Sequence, residues 1–321
     1  MKFIACSDFH ITDHRPKSRL DSDYFETCIN KLKQIYDYAK DNNISRIIQA
    51  GDFFDSARAS DYIKQKVISL LSEYKNSNDI TTSVIFGQHD LRFHNSNIEN
   101  TPLKVLESAG VVSILYNQGV HAFTDTVTGQ HIYIYGASWN ETPQEIKDKD
   151  AINILVMHKM IIKDKLWEQQ EDATFVNNLF RQFPHTYMIT GDNHQHFTSS
   201  VSPKGKDKRF AINCGSLMRS SIIQTAHKPC FYVVDTLANT IEHVLLKVAE
   251  IESIMRVEQA EEEKRTNDDL AAFIEGIQTS ELTAEMNAVN FIQNIRKQAE
   301  QEAAPVQEAI GNILTAVENT L

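Results

Sequence analysis

Five times within the first 196 residues, a short apolar run ends in a cluster built from aspartate, histidine, glycine or an amide. Lys2–Cys6 leads into Asp8-Phe9-His10, and Ile44–Ala50 into Gly51-Asp52-Phe53-Phe54-Asp55. Ser83–Phe86 leads into Gly87-Gln88-His89-Asp90, Ile152–Met157 into His158, and Thr186–Ile189 into Gly191-Asp192-Asn193-His194-Gln195-His196. Runs of this length bounded by turn residues read as buried strands. Between them lie helical patterns. Residues 25–40 place Phe25, Ile29, Leu32, Ile35, Tyr36 and Ala39 on one face, and residues 62–74 and 103–109 read as two more helices. Later strands are expected at 132–135, 210–214, 231–235 and 241–246. Alternating strands and helices followed by a β-rich stretch predict an α/β fold, a layered sandwich with helices outside.

In such sheets, ligand sites form where loops converge at the carboxyl ends of the strands. Asp and His at i and i+2 of an extended segment point the same way, so Asp8 with His10, and His194 with His196, are expected to reach one metal each. Carboxylates, imidazoles and an amide without thiolates suit Mn, Fe or Zn, and Mg less well. Glycines at 51, 87 and 191 are expected to make sharp turns off the strands. Taken singly, each cluster has a blander reading: His158 as a hydrogen-bonded core residue, the Gly-Asp pairs as turns, His194 and His196 as exposed side chains. Five in order, each at a strand end, point to a metal centre.

In that order and spacing the clusters resemble the calcineurin-like metallophosphoesterase superfamily, whose pattern runs DxH, GDxxD, GNHD/E, H and GHxH. The segments Asp8–Pro16, Gly51–Asp55 and Asn213-Cys214-Gly215-Ser216-Leu217-Met218-Arg219 look most like the nuclease subunit of the SbcC–SbcD type double-strand-break complex, in the short version found in phages. The resemblance implies a four-layer α/β/β/α metallophosphoesterase sandwich over residues 1–248. It also implies two divalent ions, Mn first, with Mg, Fe or Zn as the other candidates. Asp8, His10, Asp52 and His196 would hold the first ion. Asp52 would bridge to a second, completed by Gln88, His158 and His194. A hydroxide would then attack phosphorus in line, with the ions offsetting charge. His89 would act as general acid beside the leaving oxygen, and Asp90 would orient His89. Two departures stand out: Gln88 replaces the family Asn, and Asp192 and Asn193 appear as an insertion after Gly191. Asp192 is expected to be a turn residue, with a role behind the ligands as the alternative.

The metal site specifies a phosphoester without saying which. Arg92 and Arg219, near the third cluster and the Gly-Ser turn, are candidates to meet phosphate. So is the basic loop Lys204, Lys206, Lys208 and Arg209, which reads equally as a solvated hairpin tip. Most of the net charge of −11 falls in residues 250–321, where 15 acidic and 5 basic residues occur, so the first part is close to neutral and compatible with DNA.

Residues 249–321 read as an acidic amphipathic helical region. Its stripes are Leu270, Ile274 and Ile277; Leu282, Met286, Val289 and Ile292; and, behind Pro305, Val306, Ile310, Ile313, Leu314, Val317 and Leu321. They fit packing on the same chain, a homodimer, or a partner's groove; the resemblance implies an SbcC-like coiled-coil ATPase. The leading expectation is a Mn-dependent DNA exo/endonuclease of recombination, repair or replication. The alternatives are a hydrolase of a cyclic nucleotide, phosphomonoester or phosphoprotein, and a catalytically weakened scaffold. No segment has the roughly 20 apolar residues that span a bilayer, and residues 1–8 do not read as a signal peptide. Four scattered cysteines suggest no disulfide framework, so a cytoplasmic setting is expected, the host's if the chain is phage-encoded.

Overall fold

The computed structural model describes residues 1–92, 98–117, 119–125, 128–165, 173–205, 207–221, 224–256, 307, 310 and 311. The chain divides into two compact units, Met1–Ile254 and Met255–Leu321, and the account that follows concerns the first. The C-terminal stripes lie outside the described residues, apart from the buried Ile310. So does Lys206.

The first half builds β1 (Lys2–Cys6), α1 (Tyr24–Asp41), β2 (Arg46–Gln49), α2 (Asp61–Asn78), β3 (Thr81–Val84), α3 (Pro102–Ser108) and β4 (Ser113–Ile114). Then come β5 (Val120–Thr124), β6 (His131–Ala137), β7 (Ile152–His158), β8 (Ile161–Ile162), β9 (Thr174–Phe175), α4 (Val176–Gln182) and β10 (Tyr187–Gly191). The unit closes with β11 (Phe197–Val201), β12 (Arg209–Asn213), β13 (Cys230–Asp235), β14 (Thr240–Leu245) and a single turn, α5 (Ile251–Ile254).

The helix starts follow from side chains that satisfy the first free N–H groups. Asp23 accepts from Glu26 N, Ser60 from Ile63 N, and Thr101 from Lys104 N ahead of Pro102. Two six-stranded sheets result, ordered β14-β13-β1-β2-β3-β4 and β11-β12-β10-β7-β6-β5. Strands β1 to β4 are parallel, as are β6, β7, β10 and β12, while β5, β11, β13 and β14 add antiparallel pairs.

Period-two alternation assigns the layers. Ile4 and Cys6 of β1 pack with Leu32 and Ile35 of α1 and Val67 and Leu71 of α2. Phe3 and Ala5, on the opposite face, pack with Ile134, Ile154 and Ile189 of the second sheet. That sheet's other face carries Leu155, Met188 and Ala211 against Leu179 and Phe180 of α4. The order is therefore helices, sheet, sheet, helix, the α/β/β/α sandwich expected from the sequence.

The strands and helices read from the sequence of residues 1–248 occur within a few residues of the expected bounds. Reading the sequence missed β4, β5, β8, β9, β11 and α4. Each has seven residues or fewer, and β5 and β11 are sheet edges with partly exposed faces, so neither carries a full apolar pattern.

One core feature predicts a pH response. Lys31 of α1 is buried and donates from Nζ to Leu217 O at 3.0 Å. Burial, then the nearby Arg19 and Arg219, lower its pKa to about 7. The folded value lies below the unfolded one, so protonation favours the unfolded chain. The penalty is full below pH about 7 and fades as pH rises toward about 10.4. Urea unfolding is therefore expected to show wild-type stability rising relative to Lys31→Met between pH about 7 and about 10, and a pH-independent difference would refute this.

Candidate metal centre

The carboxyl ends of β1, β2, β3, β7 and β10 meet at one rim. Past β1 the chain stays beside the loop after β2: Asp8 N donates to Gly51 O at 3.0 Å, His10 N to Asp52 O at 3.0 Å, and Ile11 N to Phe53 O at 3.1 Å. Asp8 and His10 are not extended, as the sequence reading assumed. Their φ values are 49° and 45°, and those of Asp52 and Asp192 are 52° and 84°. Left-handed kinks, not strand alternation, aim these side chains inward, at a cost of about 1–3 kcal/mol each. Gly51, at φ 90°, needs its freedom of rotation, whereas Gly87 is required by close approach: a Cβ there would lie 2.0 Å from Asp52 Oδ1.

Three overlapping groups have ligand atoms within 4.8 Å of one another: Asp8, His10 and His194; His10, Asp52 and His89; and Asp8, Asp52 and His158. The Nε2 atoms of His10 and His194 stand 3.1 Å apart. Two nitrogens bound about 2.1 Å from a single ion would be separated by roughly this much. Asp52 Oδ2 lies 3.7 Å from His10 Nε2 and 3.3 Å from His158 Nε2, placing it between two clusters. Among the described residues, Asp52 Oδ2, His158 Nε2 and Gln88 Oε1 are buried without a hydrogen-bond partner of good geometry. Inward-facing polar atoms without protein partners are what a metal site requires. These residues fit a pair of divalent ions, with Asp8, His10, His194 and Asp52 around one and Asp52 and His158 toward the other.

Neighbouring groups fix these ligands. His158 Nδ1 lies 2.7 Å from Ala50 O, so its Nε2 faces the site. His10 Nδ1 is 3.4 Å from Asp55 Oδ1, and His194 Nδ1 is 2.8 Å from Gln224 Nε2. Asp192 N donates to both oxygens of Asp8 at 3.0 and 3.3 Å, while Gln88 Nε2 donates to Asp192 Oδ1 at 3.1 Å.

The electrostatics mark a place for positive charge. Burial would raise the Asp52 carboxyl, but His158, His10 and His89 hold it well below the usual carboxylate range. Burial opposes protonation of His158, yet Asp52 and Asp8 lift its pKa to about 10. His158 would give up that proton in favour of a divalent ion held here, because cation and proton compete for the same lone pair. Burial raises the Asp192 carboxyl against His158 and Gln88, with Asp8 and Asp52 adding to the rise.

The structure changes four assignments. His196 does not join Asp8 and His10: its Nδ1 is 3.2 Å from Tyr232 OH, and its ring lies 4.7 Å from that of His243. The chain leaves β10 in a left-handed turn, so His194 takes the place beside His10 and the two histidines diverge. Asp192 is a half-buried member of the site instead of a surface turn. Asp90 does not orient His89. Its carboxylate accepts from Phe53, Phe54 and Gly87 N–H, while His89 Nδ1 lies 2.9 Å from Asp55 O. The exposed His89 meets His10 edge-on at 4.8 Å, and its N–H donates to Asp52 Oδ1 at 2.8 Å.

The proposed phosphate contacts divide as well. Arg219 is buried, with Nη2 on Ala249 O. Arg209 gives its guanidinium to the carbonyls of His185, Phe180 and Phe183. Lys204, Lys208 and Arg209 lie at the amino end of β12, about 13 Å along a parallel strand from the rim that carries the site. Arg92 is exposed and, with Arg58 and Lys64, lines a cavity of about 270 Å³ beside the loop of the third cluster. Reading the sequence gave no role to Asp55, Gln224, Arg58 or Lys64. Asp55 stood in a quoted cluster and could have been taken up, whereas nothing local marks Gln224.

No curated protein matches the chain. Among the solved structures that the chain resembles, two share limited similarity. An archaeal phosphodiesterase is 14% identical over 77% of this chain and 100% of its own, with a TM-score of 0.39. A dimetal phosphatase from Danio rerio is 10% identical over 73% and 91%, with a TM-score of 0.41. The family model of the calcineurin-like phosphoesterases matches residues 1–196, more than half of the sequence and all five clusters. The chain is therefore a member of the calcineurin-like phosphoesterase family, a metal-dependent phosphoesterase.

Proposed function

We propose that the protein hydrolyses phosphodiester bonds of DNA, as a Mn-dependent nuclease working with an SbcC-like coiled-coil ATPase. The observation carrying the phosphodiesterase part is the convergence of Asp8, His10, Asp52, His158 and His194, with the buried Asp52 Oδ2 and His158 Nε2 facing each other at 3.3 Å and neither making a well-formed hydrogen bond. The DNA part is supported by the cavity lined by Arg58, Lys64 and Arg92, which follow Asp55 and His89 closely in the chain and would meet backbone phosphates, with Lys64 also paired to Asp61. Residues 249–321 are the candidate docking element for the ATPase or for a second copy of the chain.

Two divalent ions held there supply Lewis acidity and an activated water. The chain's own residues do the rest. Asp52 fixes the spacing of the two clusters through one oxygen, while its other oxygen is pinned by His89 N–H. With Nδ1 on the Asp55 carbonyl, His89 has Nε2 as the atom that can pass a proton to the leaving oxygen.

The test is hydrolysis of end-labelled single- and double-stranded DNA, and of bis(p-nitrophenyl) phosphate, with Mn, Mg or chelator. Cleavage of all three with Mn is expected, and His89→Ala should lower it by about 10²–10⁴ with little loss of bound metal. Turnover of the small diester alone, even with an SbcC-like partner added, would replace DNA with a different phosphoester. The paired carbonyl contacts of Arg209 and the remoteness of Lys204 and Lys208 favour that second reading.

A further inference from the structure

One half of the metal pair has few ligands of its own. Asp8, His10, His194 and Asp52 gather around one position, whereas on the other side Asp52 and His158 are joined only by Asp8, which also belongs to the first group. Gly191 pairs with His158 on adjacent parallel strands, so Asp192 leaves β10 directly beside that imidazole. The Asp192 N–H donates to Asp8, and its carboxylate accepts from Gln88 Nε2. With its nitrogen engaged there, the amide of Gln88 presents Oε1, a buried oxygen without a hydrogen-bond partner. Buried atoms of Asp52, His158 and Gln88 without well-formed hydrogen bonds thus lie on the same side of the centre, and Asp192 adjoins two of those residues.

We infer that Asp192 and Gln88 act as a pair completing the second metal position, Asp192 supplying a carboxylate oxygen and holding the Gln88 amide with its oxygen toward the ion. This rests on the metallophosphoesterase reading above. The donors become Asp52, Asp192, the Gln88 amide and His158: three oxygens, one nitrogen and two negative charges. Such a set prefers a hard ion, Mn or Mg, over Zn, whereas the first position holds two imidazoles and suits Zn better. The extra methylene of Gln88 is accommodated because Asp192 grips its amide from the far side.

The test is Mn binding, read by calorimetric titration and by the rise in thermal midpoint over that in chelator, for wild type, Asp192→Asn, Asp192→His and Gln88→Ala. The wild type should bind two Mn per chain. Asp192→Asn and Gln88→Ala should leave the first step intact and weaken the second by roughly tenfold or more. Asp192→His should shift the second step from Mn toward Zn. Unfolding midpoints in chelator identify any variant that is merely misfolded, and the near-isosteric Asn variant guards against that outcome.

One Mn per wild-type chain, two unchanged steps in Asp192→Asn, or loss of the first step alone would overturn the inference. The two readings fail separately. Two Mn bound with a weakened second step in Asp192→Asn, but no phosphodiester cleaved by wild type, would remove the proposed function and keep the metal assignment. Cleavage by wild type with Asp192→Asn binding Mn unchanged would do the reverse.

Discussion

Asp52→Asn is expected to abolish phosphodiester hydrolysis, lowering the rate at saturating Mn by three orders of magnitude or more, about 4 kcal/mol of transition-state stabilisation. Asp52 is fully buried and divides its two oxygens between different tasks. Oδ1 accepts the His89 N–H, and Oδ2 faces His10 and His158. An asparagine preserves the shape and can keep the contact to His89. It removes the negative charge that balances two ions, and it must present either an amide nitrogen or the same single oxygen at the shared position. The Asn variant should therefore fold, by its circular dichroism and its unfolding midpoint in chelator, while metal analysis finds less than the full complement bound. A variant retaining two Mn and a rate within tenfold of wild type would show that Asp52 is not the shared ligand.

Which parts of this were legible in the sequence follows from the range of the interactions. The sheets and the two long helices, α1 and α2, are written in local periodicity, such as Ile4 and Cys6 facing one way and Phe3 and Ala5 the other. The site's location was legible because each cluster follows a strand. Its internal assignment was only partly so. Placing His196 with Asp8 and His10 followed from the resemblance, with Asp192 and Asn193 taken as an insertion, whereas Asp192 follows β10 directly beside the site and His194, two residues earlier than expected, reaches His10. The role of Asp90 was misread for a related reason: its partners are backbone N–H groups, which every residue has and which sequence does not distinguish. Lys204, Lys208 and Arg209 lie close in sequence to His196, yet β11 carries the chain back down the sheet and leaves them at the opposite end.

Asp90→Ala is expected to cost about 3–6 kcal/mol of folding stability, from three buried N–H groups left unpaired at about 1–3 kcal/mol each with some recovery by relaxation. Asp90 is completely buried. Its Oδ2 accepts from Phe53 N at 3.2 Å and Gly87 N at 3.0 Å, and its Oδ1 from Phe54 N at 3.0 Å. One carboxylate thus ties the loop after β2 to the loop after β3, just where Gly87 and Asp52 are in close contact. A loss of this size is a large fraction of the 5–15 kcal/mol that usually holds a domain together. Asp90→Asn has one oxygen, which can serve the two N–H groups on Oδ2 or the one on Oδ1, so it should fall between wild type and Ala. Denaturant unfolding in chelator measures the stability without any contribution from bound metal. A deficit under 1 kcal/mol for Ala would mean that the strands alone hold the loops. The expected deficit, joined to weaker Mn binding, would make Asp90 the brace that sets the position of Asp52, and through Asp52 the spacing of the two metal positions.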